Sequence, residues 1–282
     1  MVDYKKKFAA YLGPEGSYSY IAAQKYFGDE YVLVSKKSIL DVFEFTSQNE
    51  NNSGLVPVEN SSGGPIPETL DLLINNSFNI YINSSIDMHI KLSLIGHKDE
   101  EIKKIYSHPV PIYHCNSWLR KNYPKAELNV LSSTSQSASL VAGEKNSAAI
   151  GSIESAVLYG LDVLASPIEQ DSPNITQFYV ISSKKNISTE NALNVKTGIS
   201  AFIKNSPGSL YDFLYPFKEE SVNLSRIISR PIHGKPNEYA FYIDIEGDSN
   251  IPKVKKSINK AAIACSSTCN LGSYIADFIY HV

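Results

Sequence analysis

The sequence runs to 282 residues, enough for two ordinary domains, with 43% hydrophobic and 20% charged residues and a formal net charge of −3. This is ordinary globular composition; the charge offers no basic surface for nucleic acid or anionic lipid, and no run approaches the roughly 18 apolar residues of a membrane span. The odd set Cys115, Cys265 and Cys269 argues against a disulfide framework, and Met1 to Lys7 is charged with no apolar stretch after it, so a cytoplasmic protein is expected.

Short strand-like runs alternate with helical patterns through the first half. Phe8 to Leu12 reads as a strand ending in Gly13-Pro14-Glu15-Gly16-Ser17, and Tyr20, Ala23 and Phe27 then share one helix face. Tyr31 to Val34 is a second strand. Ser38 caps a helix whose Ile39, Val42, Phe43 and Thr46 share a face. Leu55 to Val58 is a third strand, running into Glu59-Asn60-Ser61-Ser62-Gly63-Gly64.

The pattern resumes near residue 90. Ile90 to Ile95 and Ile102 to Tyr106 read as strands, and one helix carries Ile112, Cys115 and Leu119. Leu128 to Leu131 leads into Ser132-Ser133-Thr134-Ser135 and a helix. Ala148 to Ile150 feeds a helix over 153–159, stopped by Gly160, and Thr176 to Ser182 is a returning strand. Strand–helix alternation predicts parallel sheets in two α/β lobes with a cleft, a periplasmic-binding-protein-like plan over 1–185 whose second lobe is about 90–170.

Residues 184–195 are polar and Asn-rich, a linker. Over 196–282 the order strand, helix, strand, strand, helix, strand predicts a ferredoxin-like unit. In it Tyr239, Phe241, Ile243 and Ile245 lie on one strand face, and the last strand falls near Gly272-Ser273-Tyr274. Cys265 and Cys269, four apart on a predicted helix, read as small buried residues rather than zinc ligands.

Four segments can carry chemistry: the turn with Gly16 and Ser17, the turn with Asn60 and Ser61, the run with Ser133 and Thr134, and Asn174-Ile175-Thr176-Gln177-Phe178. All fall at strand ends, where open α/β sheets bind ligands. They are rich in neutral donors and helix starts, which suits a small anion. An ordinary tight turn or a helix cap explains each one taken singly. His108, at a strand end, and His114, on a helix, read more readily as structural histidines than as chemical groups.

Taken in order, the motifs resemble the prephenate dehydratase family. The likeness rests on Tyr11-Leu12-Gly13-Pro14-Glu15-Gly16-Ser17-Tyr18-Ser19, Val56-Pro57-Val58-Glu59-Asn60-Ser61-Ser62-Gly63, Tyr106-Ser107-His108-Pro109, Ala149-Ile150-Gly151-Ser152, Leu158-Tyr159-Gly160-Leu161 and Asn174-Ile175-Thr176-Gln177-Phe178. Pro207-Gly208-Ser209-Leu210, Ser229-Arg230-Pro231-Ile232-His233-Gly234 and Leu271-Gly272-Ser273-Tyr274 resemble an ACT regulatory domain. The resemblance is nearest to the dehydratase–ACT portion of the enterobacterial enzymes. It implies a lyase that binds prephenate between its lobes, needs no cofactor or metal, takes an amino-acid effector at the ACT unit, and assembles as a homodimer or homotetramer. It assigns Thr176, Gln177 and Phe178 to the catalytic segment, with Thr176 on the departing C4 hydroxyl. Gly16 and Ser17 then serve one carboxylate, Asn60 and Ser61 the ring, Ser133 and Thr134 the pyruvyl end, and Asn174 the substrate.

The chain also departs from the family. Gln177 stands where the family has Arg, losing a carboxylate fork worth about 1.5–3 kcal/mol. Tyr20 replaces a His, Ile228 a Glu and Asn237 a Trp. Together these favour a non-aromatising prephenate decarboxylase of specialised metabolism, which expels CO2 and keeps the ring hydroxyl. The retained Thr176 speaks for the alternative, prephenate dehydratase in phenylalanine biosynthesis; a more remote alternative is an inactive small-molecule sensor.

Overall fold

Local chemistry starts the helices. At Ser38 the hydroxyl accepts from Asp41 N at 3.1 Å, while the Asp41 carboxylate accepts from Ser38 N at 3.1 Å, a reciprocal cap that leaves Val42 and Phe43 facing inward. The computed structural model describes residues 6–281 except 186–188, 190–191, 233 and 236–237, and except the side chain of Asp277. Asn237, His233 and part of the 184–195 linker therefore lie outside the described residues.

The first lobe holds β1 (Lys7–Leu12), α1 (Tyr18–Phe27), β2 (Tyr31–Lys36), α2 (Ile39–Ser47), β3 (Asn52–Asn60), β4 (Gly64–Pro65), α3 (Pro67–Asn75) and β5 (Tyr81–His89). The second holds β6 (Ser93–Gly96), β7 (Lys104–Ser107), α4 (Pro109–His114), α5 (Asn116–Asn122), β8 (Glu127–Val130), α6 (Thr134–Val141), β9 (Ser147–Gly151), α7 (Ile153–Tyr159) and β10 (Asp162–Ala165). The chain returns through β11 (Ile175–Ser182). It closes with β12 (Val195–Ile203), α8 (Ser209–Glu219), β13 (Leu224–Pro231), β14 (Tyr239–Glu246), α9 (Pro252–Ala261) and β15 (Cys265–His281).

The second lobe has its own sheet, in the order β10-β6-β9-β7-β8. The first lobe and the C-terminal unit share the other, in the order β13-β14-β12-β15-β5-β11-β3-β1-β2, with β4 on β3. Within it β13-β14-β12-β15 is the predicted ferredoxin-like unit. Both sheets are mixed rather than parallel: β11 runs antiparallel to β3 and β5, and β6 antiparallel to β9 and β10. The joining strand is β15, which pairs antiparallel with β12 and then parallel with β5. Gly272 sits near the changeover with φ +110°, where a Cβ would stand 2.9 Å from Ile82 O, so a side chain there would collide with the neighbouring backbone.

Several expectations change. Cys265 and Cys269 lie on β15, not on a helix, and the last strand spans seventeen residues because a second sheet edge extends its pairing. The helix through Ile112, Cys115 and Leu119 is two helices that break at Cys115, whose φ −107° and ψ 13° leave the helical region. On β14 the face opposite Ile243 and Ile245 is also buried, with Tyr242 at 0% and Asp244 at 1% exposure. Strand β5 lacks the expected alternation because it holds a buried polar run, Asn83-Ser84-Ser85, whereas helix α3 buries Thr69, Leu70, Leu73 and Ile74 on one face. One core cluster joins Val42, Phe43, Leu70 and Leu73 of the first lobe to Ala240, Tyr242, Leu271 and Tyr274 of the C-terminal unit. Among the described residues no helix is long and apolar enough to cross a membrane.

Candidate active site

A cavity of about 470 Å³ opens between the lobes, within the size range of small-molecule sites. Ser17, Tyr18 and Ser19 reach it from α1, Asn60 and Ile66 from the β3 end, and Ile90 from the β5 exit. His108 and Val110 come from α4, Ser132 to Thr134 from the α6 start, and Asn174, Thr176 and Phe178 from the β11 entry. Among the described residues no acid, lysine or arginine side chain lines it. A ligand there meets hydroxyls, amides and apolar walls.

Two helix starts open on this space. Ser17 caps α1 by accepting from Tyr20 N at 3.2 Å, and donates to Leu12 O at 3.3 Å. Ser133 caps α6 by accepting from Gln136 N at 3.0 Å. The other first-turn amides of each helix have no intrahelical acceptor, and the helix dipole adds positive potential at both ends. Two separate anionic groups fit this layout.

Asn60 organises the opposite wall. Its Oδ1 accepts from Ser62 N at 3.0 Å and Gly63 N at 2.9 Å, which fixes which end of the amide is nitrogen. Its Nδ2 then donates to Asn174 Oδ1 at 3.0 Å and to Thr176 Oγ1 at 2.9 Å. Because Thr176 accepts from a pure donor, its own proton is free to donate into the cavity. Asn174 is 6% exposed, and its acceptor oxygen is already engaged. His108 lines the wall with Nδ1 accepting from Val110 N at 3.3 Å, which leaves the proton of the neutral ring on Nε2. Burial lowers its pKa below the usual histidine value, so the ring is neutral at pH 7.

Three expected site residues face elsewhere. Gly16 is buried under the second lobe: its carbonyl accepts from Ser155 Oγ at 2.9 Å, while Ser135 Oγ donates to Glu15 O at 2.8 Å. The glycine turn thus latches lobe to lobe. Ser61 donates to Pro173 O at 2.9 Å and accepts from Ile175 N at 3.0 Å, stapling its turn to the return segment. Gln177 points to the opposite strand face from Thr176 and Phe178, as strand alternation requires. There its Nε2 donates to Asp87 Oδ1 at 2.7 Å, and its Oε1 accepts from Arg226 Nη2 at 2.5 Å.

Other side chains escaped the sequence reading. Tyr18 lines the cavity with a buried hydroxyl that has no hydrogen-bond partner among the described residues, and burial is the main cause raising its pKa. Its triplet was noted for resemblance, but nothing in the spacing marked it. Arg226 and Arg230 are the two cations at the inward positions of β13, and nothing in the sequence separates them. Tyr20 packs on Tyr11 with ring centroids 5.5 Å apart, and is not part of the cavity lining. Ile228 packs against the shared core. Arg230 grips Asp71 of α3 through Nε at 2.7 Å and Nη2 at 2.9 Å.

Residues 9–186 match the family model described as prephenate dehydratase. The chain belongs to the prephenate dehydratase family. The bifunctional chorismate mutase/prephenate dehydratase of Stutzerimonas stutzeri is 36% identical over 267 residues, which is 94% of this chain and 72% of that protein. The prephenate dehydratase of Lactococcus lactis subsp. cremoris is 30% identical over 270 residues, covering 94% of this chain and 96% of that one. A crystal structure of prephenate dehydratase from Arthrobacter aurescens in complex with L-Phe superposes with TM-score 0.86 at 28% identity, covering 95% and 90% of the two chains. Family membership accounts for the two-lobed architecture and the mixed α/β plan. The Gln177 departure lies on the side of β11 that faces the C-terminal unit, against Asp87 and Arg226.

Proposed function

We propose that this enzyme is a prephenate dehydratase, converting prephenate to phenylpyruvate, CO2 and water. The observation that carries the reading is the Asn60–Thr176 hydrogen bond, which turns the threonine proton toward the cavity. As the ring carboxylate departs as CO2, its bonding electrons move through the ring and expel the C4 oxygen. That oxygen takes a net proton from solvent and leaves as water, so one proton is consumed per turnover and the ring becomes aromatic. The Thr176 hydroxyl hydrogen-bonds the departing oxygen as charge develops on it. The α1 and α6 starts, with Ser17, Ser133 and Thr134, hold the two carboxylates; Asn174 and Phe178 orient the ring.

The decarboxylase reading rests on Gln177 together with the regulatory-unit departures at Ile228 and Asn237, and its support weakens because Gln177 faces away from the cavity lining while the relatives named above are dehydratases. For the C-terminal unit we propose an amino-acid effector of the L-Phe kind held by the Arthrobacter aurescens enzyme.

The deciding experiment incubates purified protein with prephenate and follows CO2, the alkaline absorbance of phenylpyruvate and the ring-proton NMR spectrum. CO2 with an aromatic product is expected. CO2 with a surviving non-aromatic, hydroxyl-bearing ring would overturn the reading in favour of the decarboxylase, and no reaction would turn attention to arogenate or to a sensor.

A further inference from the structure

The seam between the C-terminal unit and the first lobe holds a polar cluster that the reaction above does not use. Asp244, 1% exposed on β14, accepts from the hydroxyls of Tyr242 at 2.6 Å, Tyr274 at 2.8 Å and Tyr179 at 2.9 Å. Arg226 of β13 donates through Nη1 to Asp244 at 3.0 Å and to Tyr179 Oη at 2.6 Å. Its Nη2 extends beyond this anchor to Glu59 Oε2 and Gln177 Oε1, both at 2.5 Å. Glu59 and Gln177 oppose each other across β3 and β11, and Asn60 and Thr176 form the next rung. The ladder register shifts immediately after Gln177, so this is the stretch where backbone pairing alone fixes the strands least.

We propose that Arg226 is a positioning residue for the cleft: by clamping Glu59 to Gln177 from the C-terminal unit, it sets the adjacent Asn60–Thr176 rung on the opposite face. This rests on the dehydratase reading only for its kinetic consequence. A planar fork is needed, since a lysine ammonium has no rigid pair of donors to span the anchor and the rung together. The C-terminal unit thereby contributes to the geometry of a cavity it does not line, through side chains rather than through a shared ligand.

The test uses the full chain carrying Arg226→Gln, Arg226→Lys, Gln177→Arg, and the double exchange Arg226→Gln with Gln177→Arg. Assays run well below the melting temperature and are normalised to folded protein. Arg226→Gln and Arg226→Lys are expected to lower kcat about 10-fold, the scale of one charge-assisted hydrogen bond, with KM changed by less than about twofold. The double exchange returns a guanidinium between Glu59 and Asp87 and is expected to recover most of that loss. Hydrogen exchange at the Ser62 and Gly63 amides, which Asn60 Oδ1 protects, is expected to quicken in Arg226→Gln while exchange along β2 stays unchanged. Unchanged kcat per folded molecule, or strictly additive effects in the double exchange, would overturn the proposal. If the unsubstituted protein turns over no prephenate, the functional reading fails by itself. The exchange arm then decides the clamp: quicker Ser62 and Gly63 amides uphold it, and unchanged ones reject it.

Discussion

Strands β3 and β11 have two faces with opposite chemistry. Toward the cavity they present Asn60, Thr176 and Phe178, all neutral. Toward the C-terminal unit they present Glu59 and Gln177, gathered with Asp87, Arg226 and Asp244 into a charged, hydrogen-bonded seam. A sequence motif is a string, but a strand divides it between two surfaces, so adjacent letters of one motif can serve different purposes. The neutral face offers oriented donors, which in the proposed function hold an anionic ligand. The charged face joins two units whose relative placement the neutral face depends on.

The comparison breaks most directly at the seam. Asp244→Ala leaves the Arg226 guanidinium and the Tyr242 and Tyr274 hydroxyls without their shared acceptor. Both tyrosines have pKa values raised well above the ordinary phenol, chiefly by burial and then by Asp244, so both remain donors. Removing one partner of a buried, hydrogen-bonded charge pair costs about 3–5 kcal/mol. Denaturant titration should show a loss of that size; a loss under about 1 kcal/mol would mean that water already satisfies the cluster.

On the cavity face the counterpart is Thr176→Ala. Loss of the donor to the departing oxygen should lower kcat about 100-fold, while the melting temperature moves little because Thr176 is only half-buried. Thr176→Ser keeps the hydroxyl and should retain most of the rate. A variant that loses stability as heavily as rate would erase the distinction between the two faces.

The sequence made much of this legible, and the exceptions share a cause. The Ser38 cap, the Gly160 stop, the ferredoxin-like order and the strand-end placement of the motifs follow from local rules and hold in the structure. Asn60, Thr176, Ser17 and Ser133 meet in one cavity as their strand-end positions suggested. Which way Gln177 points depends on the phase of strand alternation relative to a register shift, and no periodicity in five residues supplies that phase. β5 was missed because Asn83, Ser84 and Ser85 are buried polar residues, satisfied by partners such as Ser182 and Tyr26 that lie far along the chain. β15 was shortened because its second half pairs with a strand some 190 residues earlier, beyond any local signal.

Gly16 sharpens the comparison at the lobe interface. Its φ of +78° and a Cβ position 2.8 Å from Leu158 Cδ2 make an alanine strained there. Gly16→Ala should cost about 1–2 kcal/mol, because a positive φ is strained for an alanine whatever the space around it, and denaturant titration should show a loss of that size. Seam-dependent stability, read as the effect of Asp244→Ala in the Gly16→Ala background, should be unchanged, because the latch residues Ser135 and Ser155 belong to the second lobe alone. Strong coupling between the two substitutions would show that latch and seam act as one unit.

The smallest effect concerns acid. His108 on the cavity wall and His114 behind it both have pKa values lowered, chiefly by burial; His114 is fully buried, with Nδ1 3.2 Å from the Ser172 hydroxyl. A histidine that resists protonation in the folded state binds fewer protons than the same residue in the unfolded chain, whose value is 6.5. Its stabilising contribution is therefore complete above pH 6.5 and declines as the pH falls through and below that value. The cavity side should lose stability on acidification from pH 7.5 to 5.5, whereas the Arg226 guanidinium at the seam does not titrate in that window. His114→Gln removes one of the two groups and should flatten the decline measured by denaturant midpoints across the window. An identical slope in the variant would clear His114 and leave the acid sensitivity to His108 on the cavity wall or to groups other than these two histidines.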